Sequence, residues 1–164
     1  MAVNQPRLVK LSPKYLVGLR LRTTMADNQT QVLWRSFMPR RKEIAHRIDD
    51  RFYSVQVFAP ATMFQNFTPH TPFDKWAAME VNDTEKVPEG MEALRLPDGL
   101  YAVFIHRGLP GALPQTLQII FGDWLPRSGY QVDNRPHFDV MGADYRPDDP
   151  DAEEEIWIPV KEKR

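Results

Sequence analysis

The chain has 164 residues, 42% hydrophobic and 26% charged, with 21 basic and 22 acidic side chains giving a formal net charge of −1. That balance argues against a protein whose main work is gripping nucleic acid, which needs a strong basic excess. The absence of cysteine excludes disulfides, thiolate metal sites and cysteine nucleophiles.

The N-terminus shows no basic stretch ahead of an apolar run, and no apolar run approaches the ~18 residues that cross a bilayer. The expectation is a soluble, cytoplasmic chain with no membrane and no direct nucleic-acid partner. The length fits one domain, 1–164, and fifteen prolines favour short elements joined by tight turns.

In chain order, Leu8–Arg22 is the first apolar segment, with Tyr15–Leu21 as its strand. Asp27 and Asn28 are N-cap candidates for a helix from about Thr30 that carries Leu33 and Phe37 at helical spacing. Pro39 interrupts it, and Arg40–Ile48 reads as a second helical piece with Pro39 near its first position. Phe52–Phe58 alternates as a strand, a loop follows over Ala59–Pro72, and Trp76–Val81 is the next strand. Asp83–Gly90 is a polar connector.

The same order then repeats. Leu100–His106 is an apolar strand, broken by Gly108–Gly111, and Pro114 opens a helix. Leu117, Ile120, Phe121 and Trp124 form its buried stripe, and Pro126 and Gly129 stop it. His137–Asp144 is a strand, Asp148–Glu154 an acidic loop, and Glu155–Val160 the last strand. Strand–helix–strand–strand twice, with halves of roughly 1–88 and 89–164, predicts an α+β fold. Its sheet is mostly antiparallel, its helices lie on one face, and a cleft sits at a pseudo-twofold seam.

Four segments in the second half carry a resemblance. Asp98–Gly108, the Trp124–Tyr130 run WLPRSGY, Arg135–Asp139, and the Glu155–Val160 run EIWIPV resemble the gyrase-inhibitor-like (GyrI-like) small-molecule-binding domain. Phe73–Val81 is similar to that family's third strand. The same domain serves as the effector-binding module of bacterial transcription activators of the arabinose-regulator and mercury-regulator types. No helix-turn-helix segment flanks it here, so the expectation is a stand-alone binding module. The resemblance implies two strand–helix–strand–strand units around a pseudo-twofold axis. It also implies an aromatic pocket with a buried acid that attracts cationic or amphipathic ligands. The family's Phe-Glu-x-Tyr pattern falls here on Phe138, Asp139, Val140 and Met141, so the acid is one methylene shorter and the tyrosine hydroxyl is replaced by a thioether.

Asp139 is therefore the leading candidate for the pocket acid. Alternation puts His137, Asp139 and Met141 on one face and Phe138 and Val140 on the other. Glu80 shares a face with Trp76 and Ala78, offering a second carboxylate beside an aromatic plate. Trp34 and Phe37 on the first helix are candidates to line the cleft. Trp157 points away from Ile156 and Ile158, toward either the pocket or solvent.

The four histidines are scattered without metal-ligand spacing, and the acidic run Asp148–Glu155 lacks the spaced ligands and central glycine of a calcium loop. No metal and no cofactor is expected. The basic run Arg40–Lys42 with Arg47 and Arg51 reads as a solvated face. Ranked first is binding of a small aromatic or cationic amphipathic molecule between the halves, for sensing or sequestration. Next comes a hydrolase acting on electrophilic small molecules through a pocket carboxylate, with Tyr53 or Tyr101 supplying the hydroxyl that Met141 lacks. Third is interaction with DNA gyrase or a regulatory protein.

Overall fold

A computed structural model describes residues 5–59 and 68–163. Among these residues nine strands and three short α-helices form: β1 (Arg7–Leu11), β2 (Lys14–Thr23), α1 (Thr30–Phe37), β3 (Phe52–Val57), β4 (Phe73–Val81), β5 (Glu92–Leu96), β6 (Gly99–Arg107), α2 (Leu113–Ile119), α3 (Leu125–Arg127), β7 (Tyr130–Val132), β8 (His137–Met141) and β9 (Glu153–Glu162). The strands pair in the order β1-β6-β9-β8-β3-β4-β2-β5, with β7 added on β9. Every pairing between them is antiparallel. The expected α+β architecture is present, and the central residues of the Ala59–Pro72 loop, 60–67, lie outside the described residues.

The strand order is its own mirror. Exchanging β1 with β5, β2 with β6, β3 with β8 and β4 with β9 reverses the list and leaves it unchanged. The pseudo-twofold therefore passes between β3 and β8, which pair from Phe52↔Met141 to Gln56↔His137. The two edge strands are exchanged: β1, from the first half, pairs with β6 of the second, and β5 pairs back onto β2. β1 and β5 share one burial pattern, exposed for most of their length with a buried final leucine, Leu11 and Leu96. Two residues join each of them to the following strand. The sequence pattern merges β1 with β2 in one Leu8–Arg22 segment and gives no strand before Leu100, where the structure has β5.

Both helices of the duplication cover one face of the sheet. Leu33 and Phe37 of α1 pack on Val17, Phe52, Ala77 and Met79. Ile120 and the partly buried Leu117, Phe121 and Trp124 pack on Ala102, Phe104, Ile156 and Ile158. Each such fully buried side chain contributes about 1.5–3 kcal/mol. A separate apolar cluster, with Tyr53, Val55, Trp76, Tyr101 and Phe138 at its centre, lies on the opposite face.

Three local features depart from the sequence reading. Arg40–Ile48 is helical only at its start: a 3₁₀ helix, Met38–Glu43, with Pro39 near its first position, ends at Ile44 in extended conformation. The end of β4 runs past β3, and this segment satisfies its backbone instead: Ile48 N–H donates to Glu80 O at 2.9 Å and Asn82 N–H to His46 O at 3.1 Å. After α2 the chain widens into a π turn, Ile120–Trp124, closed by Leu125 N–H on Ile120 O. Pro126 has no N–H to continue a regular helix. Finally, β8 stops at Met141 rather than Asp144, and β9 begins at Glu153 inside the expected acidic loop.

Gly18 on β2 shows why a glycine stands in mid-strand. A Cβ there would lie 2.0 Å from the Ala77 carbonyl oxygen and 2.6 Å from Ala78 Cα, so β2 and β4 approach more closely than any side chain allows.

Candidate ligand-binding site

Cross-strand partners share a face of the sheet, so the register sorts every strand residue. Val140, Tyr53 and Ala78 form one row, and Trp157, Phe138, Val55 and Trp76 the next. This is the face the helices leave uncovered, and against it lies a cavity of about 450 Å³. Its roof is the β1–β2 turn, Val9 to Lys14; its floor is Tyr53, Phe138, Val140 and Trp157; Glu80 and Arg51 close one end.

The floor is a continuous aromatic surface. Phe138 and Trp157 stack with centroids 5.1 Å apart and planes 17° from parallel. Tyr53 meets Phe138 at 5.7 Å and Tyr101 meets it at 5.3 Å. Trp157 is half-buried and fixed at its polar edge, where its indole N–H donates to Glu155 Oε1 at 3.0 Å. Arg7 holds the other oxygen of that carboxylate at 3.1 Å. Stacked, anchored rings present a rigid apolar plate at little cost in ordering.

Glu80 supplies the negative charge. It is only 7% exposed, and its Oε1 accepts from the Tyr53 hydroxyl at 3.1 Å and from Lys14 Nζ at 3.1 Å. Burial, and then the Glu80 carboxylate itself, push the Tyr53 phenol above its ordinary range, so Tyr53 remains a neutral donor across physiological pH. Arg51 at the same end is engaged by Asp49 at 3.0 Å.

The sequence candidates divide between the two faces. Glu80 lines the cavity, and Trp76 belongs to the apolar cluster on the same face. Asp139 and Met141 lie on the helix-covered face, as do Trp34 and Phe37, which pack together with Phe52. None of these four lines this cavity. Alternation correctly separated Asp139 from Phe138, but it does not say which face the helices cover. The structure brings to the cavity Tyr53, Phe138, Trp157, Lys14 and Arg51. For Trp157 it decides between the two orientations the sequence left open. The alternating FYSVQV and EIWIPV patterns held the signal for Tyr53 and Trp157; nothing in the pattern marked Lys14, which reaches Glu80 only because β2 pairs with β4.

Beneath the sheet, Asp139 joins a second group of ionisable side chains. It is 8% exposed, with Glu154, Lys75 and His106 buried nearby. Burial and the neighbouring Glu154 push the Asp139 carboxyl up to about 7, against the pull of Lys75 and His106. Burial raises Glu154 to about 7 as well and pushes the Lys75 ammonium below its ordinary value. His106 is held between Thr116 Oγ1 at 2.7 Å on Nδ1 and the Leu109 carbonyl at 3.1 Å on Nε2, which ties β6 to α2. Among the described residues no group of histidine and acidic side chains is arranged to hold a metal ion. No helix there is long and apolar enough to cross a membrane.

The profile of the GyrI-like small molecule binding domain matches residues 4–161. The chain belongs to this family. It is 28% identical over 155 residues to the transcriptional regulator BrlR of Pseudomonas aeruginosa, an alignment covering 94% of this chain and 54% of BrlR. The GyrI-like chain thus spans about half the length of that curated relative. Two solved structures share its fold. SAV2435 bound to tetraphenylphosphonium superimposes with a TM-score of 0.72 at 16% identity, covering 96% of this chain and 94% of SAV2435. The EcmrR C-terminal domain gives 0.70 at 16% identity, covering 99% of this chain and all of that domain.

Proposed function

We propose that this GyrI-like domain binds a small aromatic molecule carrying a positive charge in the cavity on the helix-free face. Glu80 is its counter-ion, and Tyr53, Phe138 and Trp157 are the plate on which its rings lie. The observation that carries this reading is a nearly buried carboxylate at the end of a continuous aromatic floor. Aromatic faces attract cations, and a carboxylate withdrawn from water gains most from a partner that brings its own charge. The tetraphenylphosphonium bound to SAV2435, on the same fold, supports the ligand class. The likeness to the regulator BrlR supports a sensing role, in which occupancy is passed to a regulatory protein.

A thermal-shift panel tests the proposal with tetraphenylphosphonium, a neutral aromatic and an aromatic carboxylate, on the wild type and Glu80→Gln. Ligand at ~100 times its Kd adds about 2.7 kcal/mol, equivalent to roughly 5–10 °C in a domain of this size. The expected result is stabilisation by the cation that Glu80→Gln loses. Equal stabilisation of both proteins removes Glu80 from the site.

One observation favours a second reading. The Tyr53 hydroxyl and Glu80 carboxylate form a donor–base pair, 3.1 Å apart, facing the cavity. Such a pair could activate water against an electrophilic ligand, with Glu80 taking the proton and Tyr53 donating to the developing oxyanion. Turnover of electrophiles by the wild type, lost in Glu80→Gln, would establish it; binding without turnover leaves the first reading.

A further inference from the structure

The cation position on Glu80 is filled from within the chain. Lys14 is the first residue of β2, two positions before Leu16 on the same face, and its Nζ sits 3.1 Å from Glu80 Oε1. That oxygen also accepts the Tyr53 hydroxyl, so a charged ligand meets an acid whose partners are already in place. Of the other two cations at the cavity, Arg51 is ion-paired with Asp49 and feels the Glu80 charge without forming an ion pair with it, and Lys10 is exposed on β1. The Lys14 side chain is itself 24% exposed, against 10% for that of Glu80. Its four-carbon stem lets the ammonium swing out to water without moving the strand.

Resting on the reading that cationic ligands pair with Glu80, we infer that Lys14 is the specificity-determining residue of this site, a tethered cation that competes with the ligand for Glu80. A ligand charge gains only the difference between its own pairing with Glu80 and that of Lys14. Neutral aromatic molecules, which leave the Lys14–Glu80 pair intact, escape this competition. The cavity therefore discriminates among cations by how well they surpass a primary ammonium. Bulky, weakly hydrated cations with aromatic substituents do so through the floor, and small ammonium compounds do not.

Isothermal titration of tetraphenylphosphonium, and of neutral triphenylphosphine oxide as its uncharged counterpart, tests the inference. The proteins are wild type, Lys14→Gln, Glu80→Gln and the double variant, each first shown by its melting curve to be folded. Freeing Glu80 from a partly buried ion pair is expected to tighten tetraphenylphosphonium about ten-fold in Lys14→Gln, with the phosphine oxide changed less than about two-fold. In the Glu80→Gln background the Lys14 substitution is expected to gain less than about two-fold, because the competition acts through Glu80. Equal tetraphenylphosphonium affinity in wild type and Lys14→Gln, or equal gains for both probes, overturns the competitor role and leaves the cavity reading standing. Failure of both wild type and Lys14→Gln to bind the cation overturns the cavity reading and the competitor role together.

Discussion

Asp139→Asn separates the two faces of the sheet in one experiment. In the folded chain the Asp139 carboxyl is pushed up to about 7, first by burial and then by Glu154, while an unfolded aspartate ionises near 3.9. Between these values the folded protein keeps a proton that the unfolded chain has released. Stability is then highest at acid pH, falls as pH rises toward 7, and is flat above it. Asparagine has the same shape and no proton to lose, so it removes one proton's worth of slope, about 1.4 kcal/mol per pH unit near pH 5.5. The assay is the urea midpoint of both proteins from about pH 5 to pH 8, converted to free energy through the m-value. Tetraphenylphosphonium is titrated in parallel near pH 6, where the wild-type carboxyl is mostly protonated and the substitution changes little charge. The expected outcome is a shallower pH slope with ligand affinity altered less than about two-fold. Identical slopes refute the buried, proton-holding carboxyl. Loss of cation binding returns Asp139 to the ligand face and refutes the assignment of the site to Glu80.

Two further predictions concern the floor and the frame. Trp157→Ala removes the ring stacked on Phe138 at 5.1 Å and is expected to weaken tetraphenylphosphonium at least ten-fold by titration, about 1.4 kcal/mol or more; unchanged affinity would mean that the ligand lies elsewhere. Gly18→Ala drives a methyl to 2.0 Å from the Ala77 carbonyl and is expected to cost more than about 2 kcal/mol in urea unfolding; a neutral result would show that β2 and β4 can separate freely.

The long elements were legible from their apolar content. β4 and β6 are near-continuous runs buried on both faces, and the Leu117, Ile120, Phe121 and Trp124 stripe marked the second helix. β1 and β5 were not separable, because each is an exposed edge strand whose one buried residue is its last, Leu11 or Leu96. Their partners, β6 and β2, belong to the opposite half, and no local pattern records that exchange. The site was half legible for a related reason. Alternation grouped Trp76 with Glu80 and separated Phe138 from Asp139, but both faces of this sheet carry apolar clusters and buried charge. Which face takes the helices is a tertiary fact. The family pattern pointed to Asp139, and the cavity lies on the side of its neighbours Phe138 and Val140.

The duplication itself raises a further question: the cavity is built from both halves, yet the acid Glu80 and the Tyr53 hydroxyl bonded to it come from the first half, while the second supplies Phe138, Val140 and Trp157. The second half answers with a side chain of its own. Arg135 lies over the Tyr101 ring at 4.8 Å, is paired with Asp133 at 2.9 Å, and donates to the Leu100 and Val160 carbonyls at 2.7 and 3.0 Å. Gly99, first residue of β6 as Lys14 is of β2, has φ +149, and a Cβ there would fall 2.2 Å from the Arg135 guanidinium. A glycine at the position of Lys14 thus makes room for an internal arginine on the aromatic surface. Arg135 is anchored by four separate groups, its Tyr101 contact included, whereas Lys14 is held through its single Nζ contact with Glu80. The same fold thus sets a cation against its aromatic cluster in each half, Arg135 fixed by four groups and Lys14 held by one, and on the proposed reading only Lys14 can yield its carboxylate to a ligand.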